Sequence, residues 1–169
     1  MNNPRIDPEF MRADGFLEIS GVIGLIALLT FPLYYLPQLP EQIPGHYNSL
    51  GIPDSFSSRN TIWALPITGL VMYVGLTFLN RFPHIFNYPV KVTEENAPQL
   101  YSLSTRMIRI LKNLLVIIFL YINYQTIKVA LNQSSGLGEV FLPAVLIVIL
   151  GYLSIMIFKM AKLKKRTKK

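Results

Sequence analysis

Apolar positions fall into four long runs separated by short polar stretches: Phe16–Leu36, Thr61–Asn80, Met107–Leu131 and Val140–Phe158. A hydrocarbon core about 30 Å thick needs roughly 20 apolar residues of helix, so each run predicts a membrane span. The second and fourth carry no charge, whereas the first holds Glu18 near its start, which should lie at the interface. No small-x-small processing site follows the first run, so it reads as an anchor and not a removed leader. The pattern predicts an all-α integral membrane protein, a bundle of four transmembrane helices over residues 11–158. In the leading residues 1–10, the string DPEF looks like translated cloning-site sequence, with Met11 as the natural start; these residues are given no functional weight.

The stretches between the runs have their own signals. Residues 37–60 contain Pro40, Pro44 and Pro53, which hold their predecessors extended. Asn48, Gly51, Pro53 and Asp54 are turn formers, and together they predict a compact, ordered, Pro-rich lid. Between the second and third runs, Thr93 or Asn96 can cap a helix that Ala97 and Pro98 open. That helix should run straight into the third span and exceed the membrane thickness. Pro66 and Pro143 sit in first turns, where the missing N–H costs little, while Pro32 should kink or end the first helix.

Charge sets the orientation. The net charge is +7, and seven of the 16 basic residues crowd into the tail 159–169, KMAKLKKRTKK. Lysine and arginine accumulate on the cytoplasmic side, so the C-terminus, and with four spans the N-terminus, should be cytoplasmic. The stretch 81–106, with Arg81, Lys91 and Arg106, is then inside, and the lid, with Arg59 alone, is extracytoplasmic. The tail should attract anionic lipid headgroups; nothing in such a run specifies nucleic acid. Arg106, Arg109 and Lys112 recur every three residues near the inner interface and should snorkel to the same headgroups.

Mean hydropathy is +0.40. There is no cysteine, which excludes disulfides, thiolate metal sites and cysteine nucleophiles. His46 and Asp54 with Glu41 are too few ligands to specify zinc, so His46 is expected to hydrogen-bond lid backbone, and no metal or cofactor is assigned. No P-loop, HExxH or GxGxxG occurs, and a triad of His46, Asp54 and a nearby serine is a paper arrangement that any polar loop allows. The third span is the polar one: Tyr121, Tyr124, Gln125 and Lys128 line one face of its outer half. They serve either as bundle glue with a snorkelling lysine or as the wall of a polar cavity roofed by the lid.

The lid, with Leu39, Pro40, Ile43, Pro44, His46, Tyr47, Asn48, Gly51, Pro53 and Asp54 in order, resembles the signature of the bacterial membrane family DUF 1648. Asn87, Tyr88, Pro89, Thr93, Glu94, Glu95 and Asn96 resemble a second stretch frequent in that family, and Arg59 stands where a lysine is common. The resemblance implies a multi-pass protein of the bacterial cytoplasmic membrane. Its best-known members are toxin-immunity proteins of the SdpI type, which also sequester a repressor. The expected function is therefore non-enzymatic recognition of an extracytoplasmic peptide, lipid or envelope ligand, in an immunity or signalling role. His46, Tyr47, Asn48 and Asp54, with Tyr121, Tyr124, Gln125 and Lys128, are the candidate ligand residues; Asn87, Tyr88, Thr93, Glu94, Glu95 and Asn96 are candidates for an inner protein partner. The alternatives are a small transporter or channel subunit using the polar face of the third span, or a membrane enzyme using His46 and Asp54. Four short spans also make a homo-oligomer a reasonable expectation.

Overall fold

The computed structural model describes residues 3–163; residues 164–169, most of the predicted basic tail, lie outside the described residues. The elements in chain order are α1 (Arg12–Tyr35), β1 (Gln42–Tyr47), β2 (Pro53–Ser58), α2 (Ala64–Leu79), α3 (Ala97–Ala130) and α4 (Phe141–Lys162). All four helices, α2 together with the 3-10 turn Arg59–Trp63 before it, are long and apolar enough to cross a membrane. The chain is a multi-pass, mostly helical membrane protein. The all-α expectation is corrected by the two-stranded sheet in the lid.

α3 is the axis of the bundle and packs against each of the other helices. Its 34 residues make about 51 Å of helix, well beyond the hydrocarbon thickness. The turn before it closes on itself: Asn96 Oδ1 accepts the Thr93 N–H at 2.8 Å, Thr93 Oγ1 accepts the Asn96 N–H at 3.4 Å, and Asn96 Nδ2 donates to the Lys91 carbonyl at 3.0 Å. Asn96 is the N-cap by position, but its side chain bonds this preceding turn and no helix N–H. Pro32 lies inside α1 a turn before its end, where the Leu36 N–H donates to the Pro32 carbonyl.

Lipid tails are as apolar as leucine, so close packing and not water exclusion holds such helices together. Leu25, Leu28, Tyr73 and Val116 form the contact of α1, α2 and α3. Gly21 lets α1 approach: a Cβ there would sit 2.7 Å from the Tyr73 hydroxyl. α4 is peripheral. It packs chiefly on α3 through Met156 and Met160, and Leu142, Ile147, Leu150 and Phe158 remain exposed.

The up-and-down order gathers unlike material at the two ends of the bundle. At the terminal end, Ala97, Leu100, Tyr101 and Met160 pack with Ile6, Tyr88 and Val92. Residues 3–10 join this cluster: the Tyr101 hydroxyl donates to the Pro4 carbonyl at 2.7 Å, and the Glu9 N–H donates to Ser102 Oγ at 2.9 Å. At the opposite end stands the β1–β2 hairpin.

The hairpin sequences QIPGHY and PDSFSS are poor in β-branched residues, which is why they read as loop. Tertiary contact supplies what propensity lacks: Ile43 is buried with Leu39, Ile62 and Ile127. The strands pair antiparallel from Gln42↔Ser58 to Tyr47↔Pro53, with irregularities between Pro44 and His46 and between His46 and Tyr47. The turn closes on Asn48, whose Oδ1 accepts the N–H groups of Leu50 and Ile52. Gly51 takes φ +74°, a conformation that suits glycine. Its carbonyl accepts the Leu137 N–H at 2.8 Å, so the loop between α3 and α4 clasps the hairpin tip.

Candidate ligand site beneath the hairpin

A cavity of about 500 Å³ lies under the hairpin, between the first turns of α2 and the C-terminal part of α3. β1 gives Ile43, His46 and Tyr47, α2 and its preceding turn give Ile62 and Leu65, and α3 gives Ile122, Asn123 and Thr126. Leu137 closes the far side. The walls are mostly apolar with a few fixed polar groups, the usual make-up of a small-ligand site.

Asn123 is the polar group that matters most. It is 2% exposed. Its Nδ2 donates to the Ile62 carbonyl at 2.8 Å, which fixes the orientation of the amide. Its Oδ1 is buried and meets no donor among the described residues. A buried acceptor left unmatched costs about 1–3 kcal/mol, and this one lies in the packing behind the cavity wall, with no surface open to the cavity. Beside it, the Tyr47 hydroxyl and Thr126 Oγ1 share a hydrogen bond at 3.0 Å. Burial pushes the Tyr47 phenol pKa up, and the Thr126 hydrogen bond partly offsets this.

At the mouth, His46 Nδ1 and Asp54 Oδ1 are 2.6 Å apart. The expectation that His46 bonds lid backbone is corrected here. The irregular register at Gly45 changes the pairing so that His46 faces Ser55, and the histidine meets the neighbouring carboxylate. With Nδ1 engaged, Nε2 is the ring nitrogen left for a ligand. Among the described residues no three histidine, aspartate or glutamate groups gather as metal ligands.

The predicted ligand residues divide. His46 and Tyr47 line the cavity, Asp54 orients His46, and the Asn48 Oδ1 is taken by its own turn. The four predicted on α3 are not cavity walls. Tyr121 stacks on Phe141 at 4.9 Å and donates to the Leu137 carbonyl, and Gln125 donates to the Tyr121 hydroxyl. Tyr124 lies edge-on to Phe31, with Lys128 over its ring at 5.6 Å. The cavity instead uses the neighbouring face, through Ile122, Asn123 and Thr126, which the sequence reading missed. Asn123, a polar residue set among apolar positions of a span, was the available signal.

At the terminal end, Tyr88 is half-buried and donates to the Pro83 carbonyl at 2.8 Å. Its hydroxyl also meets Ser104 Oγ, and burial pushes its pKa to about 12. Asn96 is buried in its cap, whereas Asn87, Thr93, Glu94 and Glu95 are exposed.

The snorkelling expected of Arg106, Arg109 and Lys112 is also corrected. All three turn toward α1, where Asp14 and Glu18 stand one helical turn apart on the same face. Arg106 holds Asp14 through two bonds of 2.9 and 3.0 Å. Arg109 Nε meets Glu18 Oε1 at 3.0 Å, and Lys112 Nζ meets Glu18 Oε2 at 2.5 Å. Lys112 also donates to Thr77 Oγ1 and lies 4.4 Å from the Tyr73 ring centroid. The Lys112 side chain is fully buried, so pairing was the alternative to an unsolvated charge.

Comparison with known proteins places the hairpin in a defined segment. Residues 22–70 match the family described as "Domain of unknown function (DUF1648)". The chain carries a DUF1648 domain. That domain spans most of α1, the hairpin and the first turns of α2. It therefore supplies the roof and one wall of the cavity, while Asn123, Thr126 and Leu137 come from beyond it. An uncharacterized protein of Archaeoglobus fulgidus is 32% identical over 77 residues, which cover 41% of this chain and 42% of that protein. The chain thus spans less than half the length of that relative. No solved structure matches.

Proposed function

We propose that this DUF1648-containing chain is a non-enzymatic recognition protein of the bacterial cytoplasmic membrane, which binds an extracytoplasmic ligand beneath its hairpin. The observation that carries the reading is the cavity itself, about 500 Å³ of mostly apolar space under the hairpin with His46 and Tyr47 in its lining. The orientation rests on charge: Arg81, Lys91, Lys159 and Lys162 lie toward the terminal end, against Arg59 and Lys128 toward the hairpin end. Exposed Glu94 and Glu95 offer an inner protein partner an acidic surface, consistent with an immunity or signalling role. Transport has less support, because the apolar contact of Leu25, Leu28, Tyr73 and Val116 separates the cavity from the charge network.

The test is to block the cavity. Ala64 lines it and is exposed, so Ala64→Trp fills space without removing a buried group. Small molecules and peptides extracted from purified wild type and A64W are compared by mass spectrometry. A species bound near one per chain in wild type and depleted in A64W is the expected result; identical extracts overturn the reading. Thiol labelling of Ser49→Cys in intact cells by a membrane-impermeant reagent tests the orientation, and labelling only after lysis reverses it.

A further inference from the structure

We propose that a second cavity, at the terminal end of the bundle, binds a phosphate monoester through Arg5 and Lys91. The inference is independent of the hairpin cavity and goes beyond the recognition reading above.

This cavity measures about 1120 Å³, room for a phosphate together with the group that carries it. Two segments far apart in sequence form it. The leading segment gives Asn3 and Arg5, and the connection between α2 and α3 gives His84, Asn87, Tyr88 and Lys91. Among the described residues the lining holds three basic side chains and no carboxylate; Asp7, Glu94 and Glu95 stand close in sequence but do not line it. Nor do Arg5 and Lys91 form an ion pair with any described residue, whereas Arg106, Arg109 and Lys112 are neutralised by Asp14 and Glu18.

Both cations sit on tethered backbone, which sets them apart from solvated side chains on a free segment. On one side of Arg5, Asn3 Nδ2 donates to the His84 carbonyl at 2.9 Å and the Pro4 carbonyl accepts from Tyr101. On the other side Ile6 packs with Leu100 and Tyr101. Arg5 itself is exposed between these anchors. Lys91 repeats the arrangement: Val90 and Val92 pack into the same cluster, the Lys91 carbonyl accepts from Asn96, and the side chain is exposed. The Asn3–His84 bond joins the two segments, so their cations line one space. Like charges sharing a space without a counter-ion repel one another, and an anion relieves that while attracted to each. The Arg5 guanidinium presents parallel N–H donors that fit phosphate oxygens, and Lys91 supplies a point charge. A phosphate monoester, with a charge of about −1.5 to −2 and three acceptor oxygens, answers two cations better than a singly charged carboxylate. A lipid headgroup and a free phosphate ester present the same group, and the experiment separates them.

The full chain purified in detergent is titrated by calorimetry with dihexanoyl phosphatidic acid and, separately, with glycerol 3-phosphate. Dihexanoyl phosphatidylcholine, whose choline offsets the phosphate charge, is the reference. Wild type is expected to bind at least one monoester about tenfold tighter than the reference, and Arg5→Gln and Lys91→Gln should each weaken it about tenfold, the scale of one charge-assisted hydrogen bond in a partly exposed site. Glycerol 3-phosphate binding with that dependence identifies a free ester as ligand; binding of phosphatidic acid alone identifies a headgroup. Lys159→Gln, an exposed cation outside the lining, should bind as wild type does. No preference for either monoester, unchanged binding in R5Q or in K91Q, or an equal loss in K159Q overturns the proposal. Ala64→Trp, which blocks the hairpin cavity, should bind the monoester normally, so the two readings stand or fall separately; loss in A64W places the anion beneath the hairpin and overturns the assignment. Arg5 and Lys91 are exposed, and unchanged thermal unfolding of their variants confirms that the fold is kept.

Discussion

Replacing Glu18 by alanine tests the claim that the terminal end is held by charge pairing. Glu18 accepts from both Arg109 and Lys112. Its removal leaves Arg109 with Asp14 at 3.7 Å and Lys112 with Thr77 and the Tyr73 ring. The Lys112 side chain is 0% exposed, so water cannot replace the lost carboxylate without local opening. Breaking a buried pair from one side typically costs 3–5 kcal/mol. Glu18 is itself 33% exposed, so the pair is only partly desolvated and the lower figure, about 3 kcal/mol, is expected. The double substitution Glu18→Leu with Lys112→Met removes both charges and keeps apolar volume. It should recover most of that loss, because replacing a buried pair with apolar groups is often near neutral. Thr77 does not obstruct this recovery, since its hydroxyl already donates to the Tyr73 carbonyl at 2.7 Å. Reversible unfolding in mixed micelles measures all three proteins. An E18A loss under about 0.5 kcal/mol, the ordinary range for surface substitutions, refutes the buried-network reasoning, as does a double variant no better than E18A.

Two glycine substitutions separate packing from helix propensity. Gly21→Ala drives a Cβ into Tyr73 and should cost about 1–3 kcal/mol, while Gly75→Ala meets nothing within 4 Å and should be neutral or stabilising by up to about 1 kcal/mol; thermal unfolding in detergent ranks them, and equal effects contradict the helix contact described. Tyr88 gives a pH prediction. Its folded pKa is raised, to about 12 from the ordinary phenol value of 10.0, because burial disfavours the phenolate. Its contribution is therefore full below the unfolded pKa and lost as pH rises through the folded one. Stability should fall between those values in wild type and fall less in Tyr88→Phe, monitored by unfolding across alkaline pH; parallel profiles exclude Tyr88 as the source.

The apolar runs alone determined four spans, because a bilayer demands about 20 apolar residues per helix whatever the neighbours are. The long α3 and its start at Thr93–Asn96 were legible for the same local reason: capping chemistry acts within a few residues. The lid was legible as ordered from its prolines and turn formers, and its family from the same residues. Its strands were not, because QIPGHY and PDSFSS have little β propensity and pair only once Ile43 is buried against Ile62 and Ile127 from other elements. Contact across helices also decided the fate of the charges. Spacing put Arg106, Arg109 and Lys112 on one face of α3, and Asp14 and Glu18 lie four residues apart in the sequence; only helix packing set the two faces together. The candidate site shows the same division. His46 and Tyr47 were readable in the lid, but which face of α3 lay beneath them depended on the rotation of that helix in the bundle. A turn of one residue, about 100°, separates the predicted Tyr121–Gln125 face from the Ile122–Thr126 face that lines the cavity.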